Sequence, residues 1–261
     1  MSHRPRSDGF VLLHVLWLLL VATALAAGAM TAVFYSSQEL AISEQRLRAS
    51  LVHESAIEVV IHDLLVNGDR SAWAGDGIVA RSVQIGQQPV SVSVQQVDGL
   101  IDPLSSDPQL LGRLLARLAI VQGRSSAGFT AIRSANGFQP ATYVDLQATL
   151  GLDDDSFACL YHYVTLFSGR PAPNPRYASS GLAELAGLRS AAIGARSVMS
   201  ESSAHNVVGS TFRVNSLIEN NAGNATGLSV EVTITGQIEP SHLVRSRQRI
   251  VSPQYRSDKG C

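Results

Sequence analysis

Gly9-Phe10-Val11-Leu12-Leu13-His14-Val15-Leu16-Trp17-Leu18-Leu19-Leu20 opens an apolar run that continues to Phe34. No Asp, Glu, Lys or Arg occurs between Asp8 and Glu39. Twenty-five apolar-run positions at about 1.5 Å rise each make a helix that crosses a hydrocarbon core of about 30 Å. The run is too long for the core of a secretory signal. Cutting at Ala26-Ala27-Gly28 would leave an apolar remnant from Ala29 to Phe34. Arg4 and Arg6, with the amino terminus, put the start on the cytoplasmic side and everything from Tyr35 onward on the other.

The helical pattern continues past the membrane edge. Leu40, Leu47 and Leu51, then Ile57, Val60, Ile61, Leu64 and Leu65, continue one apolar face, and Glu44 and Arg48 form an i,i+4 pair. Neither proline nor glycine interrupts Met30 to Val66, and Asn67-Gly68 supplies a stop. One helix is predicted over 10–68, with 10–34 in lipid.

A short basic leader ending in Gly9, then Phe10 and a helix of this kind, resembles the type IV prepilin class. The resemblance implies cutting between Gly9 and Phe10 by prepilin peptidase and methylation of the Phe10 amine. Most of that class carries Glu at the fifth mature position, facing the amine of a neighbouring subunit. Here that position is His14, and a neutral imidazole cannot neutralise an ammonium in lipid as a carboxylate does. Lack of the Glu, together with a start running into Leu16-Trp17, is similar to the minor pseudopilin K family of type II secretion systems.

Beyond the helix, Val79–Ile85 and Val90–Val97 flank Gly86-Gln87-Gln88-Pro89 and read as a β-hairpin. Alternation of Val90, Val92 and Val94 with Ser91, Ser93 and Gln95 predicts one buried and one wet face. Asp98-Gly99-Leu100-Ile101-Asp102 resembles a pseudopilin K segment, with Pro103-Leu104 departing from it. Helices are predicted over Pro108–Ile120, Thr142–Leu150, Asp154–Phe167 and Pro175–Leu188. The most specific internal resemblance runs from Gly137-Phe138 to Leu188. It includes Val144-Asp145-Leu146, Gly151-Leu152, Tyr163-Val164-Thr165-Leu166-Phe167-Ser168-Gly169, Pro173-Asn174-Pro175 and Ala178. Phe212–Leu217, Leu228–Thr235 and Val244–Val251 read as strands, with Asn220 to Asn224 as a turn. Leu228, Val230, Val232 and Ile234 alternate with Ser229, Glu231 and Thr233, the clearest strand pattern in the chain.

The fold class is therefore α+β: a pilin-like long N-terminal helix packed on an antiparallel sheet, with an inserted all-α domain. The expected division is 1–9 leader, 10–68 helix, 69–104 and 193–252 sheet, 105–192 inserted helical domain and 253–261 tail.

Little in the sequence points to catalysis. His53 and His62 stand nine residues apart on one helix, which is not a two-ligand spacing, and no His-Glu-x-x-His or Gly-x-Ser-x-Gly occurs. A net charge of -1 gives no basic footprint. Arg170, Arg176 and Arg189 are scattered, so nucleic acid is not an expected partner. Asp153-Asp154-Asp155 has two readings, oxygen ligands for calcium or acidic capping of a helix start. Some members of the pseudopilin K family bind calcium, which makes Asp98, Asp102, Asp153 and Asp155 the candidate ligands; no other cofactor is implied. Cys159 and Cys261 can pair in an oxidising compartment or remain thiols.

What the resemblance implies is a non-enzymatic subunit of the bacterial inner membrane, single-pass, with a cytoplasmic N-terminus and a periplasmic domain. It would support protein export across the outer membrane from the tip of the periplasmic pseudopilus. Its partners would be the minor pseudopilins I and J, the major pseudopilin, prepilin peptidase and the inner-membrane platform. A tip subunit has no subunit above it whose amine needs a carboxylate, which fits His14. The rival readings are a minor pilin of a type IV pilus or competence system, and a membrane-anchored periplasmic enzyme.

Overall fold

The computed structural model of the protein describes residues 8–118, 140–186, 207–219 and 225–251. The chain divides into two compact units at Ser50/Leu51. The helix α1, Asp8–Asn67, is the element on which that division falls. Within the first unit, Leu12, Leu13, Leu16, Trp17, Leu18, Leu19, Leu20, Leu25, Met30, Val33 and Phe34 are all exposed. The helix is long and apolar enough to cross a membrane. Its few hydroxyls do not disturb that surface: Thr23 and Thr31 donate to the carbonyls of Leu20 and Gly28, three residues back, so their polar hydrogens are satisfied inside the helix. The Glu44–Arg48 pair forms as predicted. Leu40 and Leu47 are exposed and join no core.

In the second unit, five antiparallel strands lie in the order β1-β2-β3-β4-β5. They are β1 Ile78–Ile85, β2 Gln88–Gln96, β3 Thr211–Glu219, β4 Ala225–Ile234 and β5 His242–Val251. Ala56, Ile57, Val60, Ile61 and Leu64 recur at helical spacing and bury one stripe of α1. Against it lie Val90, Val92 and Val94 of β2, Phe212, Val214 and Ile218 of β3, and Leu228, Val230, Val232 and Ile234 of β4. Each such aliphatic side chain withdrawn from water contributes about 1.5–3 kcal/mol. Leu51 remains exposed, so the packed face starts later than the sequence periodicity suggests.

Between β2 and β3 comes a helical block. Its described helices are α2 Pro108–Arg117, α3 Tyr143–Leu150, α4 Asp154–Tyr161 and α5 Ser180–Leu185. Local chemistry fixes their starts: Asp107, Thr142, Asp153 and Ser179 each accept a first-turn backbone N–H, and Thr142 with Asp145 completes a capping box. Leu110, Leu111, Leu114, Leu115, Leu146, Phe157, Leu160 and Leu182 form a second hydrophobic core with Val97, Leu100 and Ile101.

Two helix predictions were too long. The helix from Asp154 ends at Tyr161, because residues 163–165 leave the helix to pair in parallel with Ile101. Ile101 N–H donates to Tyr163 O at 2.9 Å, and Thr165 N–H to Ile101 O at 2.8 Å. The helix expected from Pro175 begins only at Ser180. Asn174 holds a turn first, its Oδ1 accepting from Arg176 N–H and its backbone oxygen from Tyr177 and Ala178. The turn expected over 220–224, the tail over 253–261 and the loose segments over 121–137 and 194–206 lie outside the described residues.

A third correction concerns the sheet. The face of β2 expected to be wet is largely buried: Ser91 stays exposed, but Ser93 and Gln95 are buried, as are Ser229 and Glu231 of β4. Register explains the pattern. Gln95, Arg213, Glu231 and Ser246 stand in one row across four strands, and Ser93, Asn215, Ser229 and Gln248 in the next. The helical block covers this polar face instead of water.

Candidate functional site

Two places carry chemistry. In α1, Gly9 and Phe10 lie within the helix and His14 is exposed on it. The second place is the buried polar row under the helical block.

Arg213 of β3 and Glu231 of β4 are direct cross-strand partners, with exposures of 2% and 0%. The Arg213 Nε donates to Glu231 Oε1 at 3.0 Å and Nη2 to the same oxygen at 2.6 Å. The remaining guanidinium hydrogens reach the block: Nη1 donates to the Tyr161 carbonyl, and Nη2 to the Val164 carbonyl and, at 3.0 Å, to Tyr143 Oη. Tyr143 Oη donates in turn to Glu231 Oε2 at 2.7 Å, and Thr165 Oγ1 to Oε1 at 3.2 Å. The Tyr161 ring lies under the guanidinium, 4.1 Å from centroid to Cζ, and its hydroxyl meets Ser229 Oγ at 2.9 Å. A charge pair at this depth costs desolvation that only such saturation offsets. Burial lowers the affinity of Arg213 for its proton, but the Glu231 carboxylate raises it further, so the cation is fixed. Burial pushes the Tyr143 hydroxyl well above the usual phenol range and raises that of Tyr161, with Arg213 opposing in both, so both stay neutral and Tyr143 donates to Glu231. The arrangement contains no exposed nucleophile. What it can do is dock the block on the sheet in one orientation.

A second polar contact ties α1 to the sheet. His53 is buried, its Nδ1 2.9 Å from Ser216 Oγ and its Nε2 3.4 Å from Thr226 Oγ1. Desolvation lowers its pKa and keeps it neutral.

The four carboxylates considered for calcium lie at separate places in the block and its approach. Asp98 pairs with Arg170 Nε at 2.8 Å. Asp102 is buried, with Oδ1 accepting from Leu104 N–H at 2.9 Å and Oδ2 from Gly169 N–H at 2.8 Å. Asp153 caps α4, and the Ser156 N–H it accepts holds its carboxyl below the usual range. Asp155 is exposed in the first turn of the same helix. Among the described residues no group of three or more His, Cys, Asp or Glu stands together in a way that could hold a metal ion. Asp98 and Asp102 pin residues 169–170 of the block. Cys159 is disulfide-bonded; Cys261, the other cysteine of the sequence, lies outside the described residues.

The sequence did not single out Arg213, Tyr143 or Tyr161; Glu231 entered only through strand alternation, Thr165 only through the resemblance, and His53 only as a rejected metal ligand. One signal was present. The turn expected over 220–224 would set positions 213 and 231 opposite each other, which makes opposite charges in the middle of two strands a candidate pair.

No protein-family model matches the chain, and no curated protein matches it either. Among solved structures, the chain is similar to a component of a bacterial secretion apparatus. That component belongs to the GspK–GspI–GspJ complex from the type 2 secretion system of enterotoxigenic Escherichia coli. The likeness covers 80% of this chain and 99% of that chain, at 15% identity and a TM-score of 0.47. The architecture described above is α+β, a long N-terminal helix and an antiparallel sheet with helices inserted.

Proposed function

We propose that this chain is a minor pseudopilin of a type II secretion system, of the protein K kind. It acts without catalysis, as an assembly subunit at the tip of the periplasmic pseudopilus that supports protein export across the outer membrane. One observation carries the reading: a single helix holds exposed apolar side chains over 12–35 and core side chains of an antiparallel sheet over 56–64, while a helical block enters between β2 and β3. In this reading residues 1–9 are a leader and residues 10–34 cross the inner membrane, with the N-terminus cytoplasmic. The sheet and the inserted block, with boundaries near 104 and 193, face the periplasm. Prepilin peptidase hydrolyses the Gly9–Phe10 peptide bond, and the Phe10 amine so released is methylated. His14 leaves the subunit without the carboxylate that would receive a neighbour's amine, which suits a subunit with nothing above it. Its partners are the minor pseudopilins I and J, the major pseudopilin, the peptidase and the inner-membrane platform.

Mass spectrometry of the protein purified from its own membranes tests the first step. The mature chain is expected to begin at methylated Phe10; a chain beginning at Met1 or near Ala29 refutes the reading. Co-purification of the full chain in detergent with the other minor pseudopilins tests the second, and its failure with correctly processed protein refutes the tip assignment alone.

A further inference from the structure

β5 is the last strand of the sheet among the described residues. β4 pairs with one side of it, and no described strand lies on the other. It is ten residues long and contains neither proline nor glycine, so its outer side offers alternating backbone donors and acceptors to an added strand. Register sorts its side chains. Arg247 stands opposite Val230 and Arg249 opposite Leu228, which puts both on the face that α1 packs against; Ser246 and Gln248 take the other. Arg245 sits at the irregularity beside Glu231/Val232, its Nε donating to Thr233 Oγ1 at 3.0 Å. Arg247 reaches Glu54 at 3.1 Å, an ion pair with both side chains well exposed and therefore weakly held. Arg249 is exposed and makes no ion pair among the described residues.

Three arginines within five residues make this edge selective. A second copy of β5 would set arginine against arginine, which disfavours self-pairing, whereas carboxylates directly opposite are favourable. The chain's own remaining segments do not supply them. Residues 252–261 hold Asp258 against Arg256 and Lys259 and include Pro253, and residues 187–206 hold Glu201 against Arg189 and Arg196.

We propose that the outer edge of β5 receives an extended acidic segment of another polypeptide, with carboxylates at the alternate positions facing Arg247 and Arg249. Main-chain hydrogen bonds to the edge give the affinity, and the carboxylates give the choice of partner. The inference rests on register and charge and is independent of the membership proposed above.

Fluorescence anisotropy with the full chain in detergent tests it. The probe is a labelled ten-residue peptide of alternating Thr and Glu; the controls are its Thr/Lys counterpart and the Thr/Glu peptide N-methylated at alternate backbone nitrogens. Saturable binding of the Thr/Glu peptide is expected, weakened about tenfold by Arg249→Glu with Arg247→Glu and by N-methylation. The doubly reversed variant should bind the Thr/Lys peptide instead. Arg249→Ala, which leaves the Arg247–Glu54 pair intact, should weaken the Thr/Glu peptide in the same direction. No saturation up to about 1 mM overturns the proposal. So does equal binding of the N-methylated peptide, which would mean a charged patch without strand addition.

Discussion

Replacing Arg213 by Met tests the buried interface most directly. The variant keeps the volume and deletes the charge, leaving the Glu231 carboxylate at 0% exposure with only the hydroxyls of Tyr143 and Thr165. Stranding a buried charge costs about 3–5 kcal/mol. The carbonyls of Tyr161 and Val164 lose their guanidinium donor as well, at about 1 kcal/mol or more each. The expected loss is about 5–7 kcal/mol, comparable with the whole stability of many domains. Glu231→Gln strands the opposite charge, the Arg213 guanidinium at 2% exposure, at a similar cost. Urea unfolding of the full chain in detergent, followed by the fluorescence of buried Trp73, reads both. A loss under about 1 kcal/mol for either variant would refute the reasoning.

Three further outcomes follow from the same contacts. At Gly99 an added Cβ would lie 2.2 Å from the backbone carbon and oxygen of Tyr177, and backbone cannot swing aside, so Gly99→Ala should lower urea stability by about 3 kcal/mol. His53 has its folded pKa depressed by burial, so its contribution is intact above the unfolded value near 6.5 and is lost as pH falls towards the folded one. His53→Phe should flatten the stability profile between about pH 5 and 7, and an unchanged slope would assign it elsewhere. Non-reducing peptide mapping should recover Cys159 linked to Cys261, its one possible partner within the chain. Reduction should then cost up to about 4.7 kcal/mol, for a closed loop on the order of 100 residues.

The sequence alone determined the elements whose cause is local. Twenty-five apolar positions without a charge specify a long helix, Asp107-Pro108 and Thr142 with Asp145 specify helix starts, and Val90 to Val94 specify a strand. The acidic start of α4 was open between a cap and a metal ligand; the structure makes Asp153 a cap. What tertiary structure decided was which polar residues face protein instead of water. Ser93, Gln95, Ser229 and Glu231 alternate like a solvated face, since a hydrophilic side chain opposite a block of hydrogen-bonding partners reads the same as one opposite solvent. Only the register of β3 on β4, with Tyr143, Tyr161 and Thr165 brought from 66 to 88 residues away, shows that the face is closed. Residues 163–165 tell the same lesson at the level of the backbone. Their local pattern continues a helix, yet the carbonyls of Tyr161 and Val164 go to Arg213 and the strand bridge goes to Ile101. Long-range hydrogen bonds outweighed a propensity worth only tenths of a kcal/mol per residue.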